Sequence, residues 1–382
     1  MFCELNTLNL QPMAWNWQQA GWPCFEFTTE VFKDVERNFL LNSGVFRGSV
    51  KHLDADGVET LRVELLSQEA MQTSQIEGEM LNRDSVQSSI RRALGLHRVA
   101  RRVHPSERGI AEMTVDVYRN FGQDLSHETL FSWHRMVMRG RGDLESLGEY
   151  RIHEDPMQIV SGPMGMERVH FEAPPSSAVP DEMERFVQWF NASRRDMSDH
   201  PLLRAGLAHL YFESIHPFED GNGRIGRALV EMVLSQHLEQ PMLLALSSVI
   251  ESDKKAYYHA LHTHSQTLQV NDWLGYFCKT VLEAQLLSQS MVDFIIQKAA
   301  FYQAFAVNMN SRQSKVVERM FRAGVKGFAG GLSAKNYVRI AKTSASTATR
   351  DLQDLVSLGA LSKTGELKGT RYHLNLASLR RH

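Results

Sequence analysis

The stretch His216-Pro217-Phe218-Glu219-Asp220-Gly221-Asn222-Gly223-Arg224-Ile225-Gly226-Arg227 gathers an imidazole, a carboxylate, glycines and two guanidiniums. Gly221 and Gly223 permit tight backbone conformations with amide hydrogens turned inward, and a helix that follows would add the positive end of its dipole. That combination is a phosphate cradle. Asp220 offers a hard oxygen ligand suited to Mg²⁺, which takes one or two carboxylates and fills its shell with phosphate oxygens and water. Arg224 and Arg227, three apart on the first helical turn, can fork onto phosphate oxygens. His216 is suited to general-base work, because an imidazole with a near-neutral pKa can take a proton from an attacking hydroxyl. Phe218 reads as an apolar anchor, and Asn222 has side-chain donors that could hold a phosphate oxygen in line for displacement.

The elements around this loop read as helices. One ends near Ile215 and another runs from about Arg224 to Leu238. Apolar residues at i, i+3 and i+4 predict more: one from Val31, with Thr29 as its cap, and others over 58–76, 85–94, 106–121, 127–138, 181–190, 201–215 and 273–305. The segment from Trp15 to Phe27 is aromatic without helical periodicity and reads as an arm packed on the body. Residues 157–160 and 168–171, separated by the turn-prone 161–165, predict a hairpin, the one strong strand pair before residue 330.

At every fixed position the loop matches H-x-F-x-(D/E)-G-N-G-R-x-x-R, and on those residues the chain resembles the Fic family. The resemblance implies transfer of AMP from ATP to a Ser, Thr or Tyr hydroxyl of a protein target, self-modification included. His216 would deprotonate the hydroxyl, Asp220 would hold Mg²⁺, and Asn222 with the Gly221 and Gly223 amides would bind the α- and β-phosphates. Arg224 would hold the α/β region and Arg227 the γ-phosphate. The same scaffold can take another phosphate-containing donor, so UMP, phosphocholine or phosphate transfer stays open. A nucleotide-sensing DNA-binding regulator is the alternative from outside enzymology.

Upstream, Thr73-Ser74-Gln75-Ile76-Glu77-Gly78 is similar to the family's inhibitory motif (S/T)-x-x-x-E-(G/N). Thr73 and Glu77 share a helix face, and Gly78 suits a helix C-terminus. The resemblance implies that Glu77 pairs with Arg227, occupies the γ-phosphate position and holds ATP out of its productive pose. By the same analogy Glu77 could assist removal of AMP from modified targets, and the sequence leaves that direction open. The family gives the hairpin a role as a flap that pairs with an extended target segment; the plain alternative is a connector. Gly148-Glu149-Tyr150-Arg151 resembles the segment leading into that flap. The helix carrying Tyr257 and Tyr258 resembles the one that flanks adenine, and which tyrosine does so is open. His104, His134, His153, His170 and His209 lack zinc-site spacing and read as hydrogen-bonded structural residues.

The chain has 382 residues, 43% hydrophobic, with a net charge of −2 that hides an asymmetry. Residues 310–382 hold 14 Lys/Arg against 4 Asp/Glu, so an acidic body is joined to a basic module. That module, with helices over 314–323, 333–341 and 344–358 and a hairpin over 361–374, resembles a winged helix-turn-helix. Ser344 would cap its third helix, and Thr347, Thr349, Arg350, Lys363, Lys368 and Arg371 would be free to meet DNA. Homodimerisation or target docking is the alternative use.

Three scattered cysteines make no disulfide framework, and no apolar run or signal-like start stands out, so a soluble, cytoplasmic protein without membrane partners is expected. The expected fold is mainly α: an all-helical core with a small hairpin flap, plus the C-terminal winged helix. The expected domains are an N-terminal helical region with aromatic arm and inhibitory helix (1–100), a catalytic core (101–309) and the winged module (310–382).

Overall fold

The computed structural model describes residues 14–96, 103–161, 168–325, 327–328 and 330–376. The expected turn after Ser161 lies outside the described residues. Helices, short 3-10 turns included, make up 66% of the described residues, and no described helix is long and apolar enough to cross a membrane. The chain forms two compact units, residues 1–42 with 62–285, and 43–61 with 286–382.

The helices in chain order begin with α1 (Lys33–Val50), α2 (Ala55–Ile76), α3 (Arg83–Ala93), α4 (Pro105–Asn120) and α5 (His127–Val137). The antiparallel hairpin of β1 (Gln158–Ser161) and β2 (Arg168–Glu172) follows, pairing Ile159 with Phe171. Next come α6 (Val179–Asp196), α7 (Pro201–Ile215), α8 (Asn222–Leu238), α9 (Leu246–Ser252), α10 (Lys254–His264) and α11 (Asn271–Phe305). The first unit closes around one core, in which α7 and α8 carry buried side chains on nearly every face. A helix apolar all round must be packed on all sides, so the loop joining these two is held at both ends by rigid elements.

Several helices start a few residues from the expected positions, and two of these starts have a clear local reason. Thr29 opens a 3-10 turn, Thr29–Phe32, and α1 begins only at Lys33. Helix α8 starts at Asn222 because Gly221, at φ 86°, takes the left-handed N-cap position and Asn222 is already helical. The aromatic arm lies on the first unit: Asn16 is buried and donates to Ser214 Oγ at 2.8 Å, while the Trp17 indole donates to the Glu172 carbonyl at 2.7 Å.

In the second unit, α12 (Ser311–Phe321), α13 (Ala334–Ala341) and α14 (Ala345–Ser357) precede a hairpin of β3 (Leu361–Thr364) and β4 (Arg371–Leu374). Asn310 and Gln313 form a reciprocal capping box on α12, and Ser344 caps α14 by accepting from Thr347 N. Asp351 on α14 is 2% exposed and ties the helices together, accepting from Arg312 and from the Tyr337 hydroxyl at 3.0 Å.

Candidate active site

The loop between α7 and α8 is fixed by contacts from α5 and the segment that follows it. His216 ends α7 in the left-handed region, at φ 50° and ψ 60°, a conformation that costs a non-glycine residue energy and persists only where the surroundings enforce it. Buried Arg151 enforces it, donating to the His216 carbonyl at 2.9 Å and to the Pro174 carbonyl at 2.5 Å, while its own amide donates to the Pro217 carbonyl. Phe218 is fully buried and stacks on His134 with ring centroids 4.2 Å apart. Glu219 accepts from the backbone amides of Glu145 and Ser146.

Asn222 ties the loop to itself. Its side chain is 2% exposed and bridges the loop internally, accepting from Phe218 N at 3.0 Å and donating to Phe218 O at 2.8 Å. The carboxamide therefore shapes the cradle. Nothing in the sequence distinguishes an amide that closes a loop from one that faces a ligand.

His216 lines a cavity of about 660 Å³ together with Glu77, Glu213, Gly223, Phe171 and Tyr258. Burial, with the nearby Arg151 charge second, lowers its pKa to about 4, so the imidazole is neutral near pH 7, as a general base must be. Its Nδ1 is buried without a hydrogen-bond partner and lies 3.8 Å from Glu213 Oε2. Burial pushes the Glu213 carboxyl up to about 8. At the start of α8, Arg224 Nε and Arg227 Nη1 are also buried donors without a protein acceptor. Unsatisfied buried donors beside a helix N-terminus fit an anionic ligand.

Residues 124–234 match the family model described as Fic/DOC family. The chain carries a Fic domain. Residues 15–96 match a second model, described only as a domain of unknown function, DUF4172. Protein adenylyltransferases Fic of Drosophila ananassae and Drosophila virilis are each 38% identical over 79 residues, 21% of this chain. The match spans about 15% of those relatives' length. Among solved structures, a Fic family protein of Desulfovibrio desulfuricans has a TM-score of 0.50 at 20% identity over 92% of this chain and 98% of that one. Fic-1 (residues 134–508) of C. elegans also gives 0.50, at 19% identity over 71% of this chain and 74% of that one. At such identities these structures speak for the fold.

In this chain α2 brings Glu77 onto the loop. Glu77 Oε1 is 2.7 Å from Arg227 Nη2, and Thr73 accepts from the same guanidinium through its hydroxyl (2.7 Å) and its carbonyl (3.0 Å). Burial works against the Arg227 charge, but Glu77, Tyr257 and Glu213 together outweigh it, leaving that pKa raised. Helix α2 is also tied to α9: Gln68 donates to Ser248, Gln75 to Glu251, and buried Glu69 accepts from Ser247.

Asp220 hydrogen-bonds Arg141 Nη1 at 2.6 Å and accepts from the Gly221 amide. Among the described residues no group of three His, Cys, Asp or Glu could hold a metal, so a divalent ion at Asp220 would have to take its other ligands from a nucleotide and water. That suits Mg²⁺.

The two tyrosines separate. Tyr257 is 1% exposed, with its hydroxyl 2.7 Å from His209 Nε2, and belongs to the wall. Tyr258 is 42% exposed, and its hydroxyl lies 3.5 Å from Glu77 Oε2. Other scattered histidines have local partners: His134 Nδ1 accepts from Gly148 N at 2.9 Å, His104 bonds Ser106, and His153 bonds the Asp155 carbonyl. Sequence reasoning missed Arg151 and Glu79, the latter 3.0 Å from Arg224 Nη1. Neither lies in a motif, although the unbroken run Gly148–Arg151 marked the neighbourhood of the first.

Proposed function

We propose that this protein is an adenylyltransferase that moves AMP from ATP to a Ser, Thr or Tyr hydroxyl of a protein target, and that Glu77 holds it in check. The observation that carries this reading is the neutral His216 imidazole, set by a left-handed backbone at the wall of a cavity whose adjoining helix start offers two buried guanidiniums.

In the proposed step the target hydroxyl oxygen attacks the α-phosphorus of ATP. The new phosphorus–oxygen bond replaces the one to the bridging oxygen of pyrophosphate, which leaves, and the hydroxyl proton passes to His216. The start of α8 with Arg224 and Arg227 would hold the phosphates, and Tyr258 stands at the cavity edge where a purine could stack. Asp220 would hold Mg²⁺, which would offset charge on the departing pyrophosphate. The hairpin exposes Ile159 and Val160, a side on which an extended target could add as a strand.

The test incubates wild type, Glu77→Gly, and Glu77→Gly with His216→Ala with Mg²⁺, lysate and ATP labelled at the α- or γ-phosphate. Protein labelled from α-ATP alone, more strongly in Glu77→Gly and not in the double variant, supports the transfer, the brake and the base together. Label from γ-ATP would instead mean phosphate transfer, and no label from either sinks the adenylyl reading.

A further inference from the structure

The α2 segment carries a second carboxylate onto the phosphate-binding end of α8. We propose that Glu79 is an inhibitory residue in its own right, which holds Arg224 as Glu77 holds Arg227, so that the brake grips both guanidiniums. This inference rests on the nucleotide reading of the site given above.

The contact follows from how α2 ends. Gly78, at φ 85°, takes the left-handed position just past the helix, its amide donating to the Gln75 carbonyl at 3.0 Å. The Glu79 amide then reaches back to the Ser74 carbonyl at 2.9 Å. These two bonds are the Schellman pattern, which ties the two residues beyond the helix back to its last turn. Glu77 and Glu79 therefore flank that turn and face the same target. Glu77 Oε1 meets Arg227 at 2.7 Å and Glu79 Oε2 meets Arg224 at 3.0 Å.

Burial decides whether the second pair matters. Exposed ion pairs contribute little because water and salt screen them, but the Arg224 side chain is only 6% exposed and that of Glu79 34%. Asp220 also lies beside Arg224, at 3.6 Å, and the Glu77 charge bears on it as well. A phosphate oxygen approaching Nη1 of Arg224 must displace Glu79, just as one approaching Nη2 of Arg227 must displace Glu77. On the nucleotide reading the two arginines would meet different points along a nucleotide's phosphates, so the two carboxylates should oppose different ligands. Glu77 should oppose a γ-phosphate, whereas Glu79 should oppose any nucleotide with α- and β-phosphates.

Calorimetric titration of ATP and of ADP in Mg²⁺ separates these roles. Wild type, Glu77→Gly, Glu79→Gln and the double variant are compared, all in a His216→Ala background so that no nucleotide is consumed. Glu79→Gln keeps the side chain's size at a part-exposed position and should leave the fold intact. It should tighten ATP and ADP alike, by roughly three- to tenfold, the scale of one partly buried charge-assisted bond. Glu77→Gly should tighten ATP and leave ADP within about twofold. ADP and ATP affinities that are unchanged or weaker in Glu79→Gln, while Glu77→Gly still tightens ATP, overturn the second grip and leave the nucleotide site standing. Binding of neither nucleotide to any variant overturns both.

Discussion

Glu77 Oε1 lies 2.7 Å from Arg227 Nη2 in a space that exists because residue 223 is glycine, since a methyl group there would collide with that same oxygen. One small residue thus serves two ends: it keeps the start of α8 open and gives the Glu77 carboxylate a seat.

Removing that carboxylate should carry a stability cost. The Arg227 side chain is 1% exposed, and leaving a buried charge without its partner typically costs about 3–5 kcal/mol. Glu77 is 27% exposed on its side chain, so water can reach the gap and a loss of about 1–3 kcal/mol is expected for Glu77→Gly. ATP should restore it by supplying a new anion. Differential scanning calorimetry should find a lower Tm for the ligand-free variant and a larger ATP-induced rise than in wild type. An equal rise in both would mean that Glu77 does not compete with the nucleotide.

Asn222→Ala should damage the loop rather than one phosphate contact. It strips the carboxamide from both the amide and the carbonyl of Phe218 in a buried setting, at a cost of about 1–3 kcal/mol for each group left unsatisfied. Near-ultraviolet circular dichroism, which reports the packing of Phe218 against its aromatic neighbours, should change along with nucleotide affinity. A variant that loses affinity with unchanged spectrum and Tm would give Asn222 a direct ligand role.

Arg141 should compete with a divalent cation for Asp220. Its guanidinium holds Asp143 and Asp220 together, and these bonds raise its own pKa. Both partners are well exposed, at 43% and 38% of their side chains, so the pair contributes at most about 1 kcal/mol and Arg141→Ala should tighten divalent binding by no more than about fivefold. Mn²⁺ paramagnetic resonance in the presence of ADP would measure it. Weaker Mn²⁺ binding in Arg141→Ala would mean that the arginine organises the carboxylate for the ion instead of opposing it.

Much of this site was legible because its chemistry is local. The loop 216–227 carries its own turn, glycines and charges in one stretch, and Thr73 with Glu77 one helical turn apart already implied a shared face. Contacts made across the fold were not legible. Arg151 reaches His216 only because the chain between α5 and β1 passes under the loop. Glu79 reaches Arg224 only because Gly78 turns the chain back. Tyr257 and Tyr258 were indistinguishable because adjacent helical residues point about 100° apart, and which direction is inward depends on α7 and its His209. Helix identities were likewise readable from periodicity, whereas the start of α8 depended on a backbone conformation at Gly221 that the residue type permits without requiring.

The pH dependence of transfer should reflect where His216 sits. A free imidazole titrates near 6.5, but burial, with Arg151 second, lowers this one to about 4. The base is the neutral form, so transfer by Glu77→Gly should stay nearly flat from pH 7.5 down to about 5 and fall only as pH approaches 4. The linkage runs the same way: a depressed histidine pKa means that the folded state binds fewer protons than the unfolded one. Its stabilising contribution is therefore present above about 6.5 and lost as pH falls towards 4. Circular dichroism at each pH separates loss of fold from loss of base. A decline in transfer centred near pH 6.5 with the fold intact would mean that His216 is hydrated and ordinary in the working enzyme, and that neither its burial nor Arg151 tunes it.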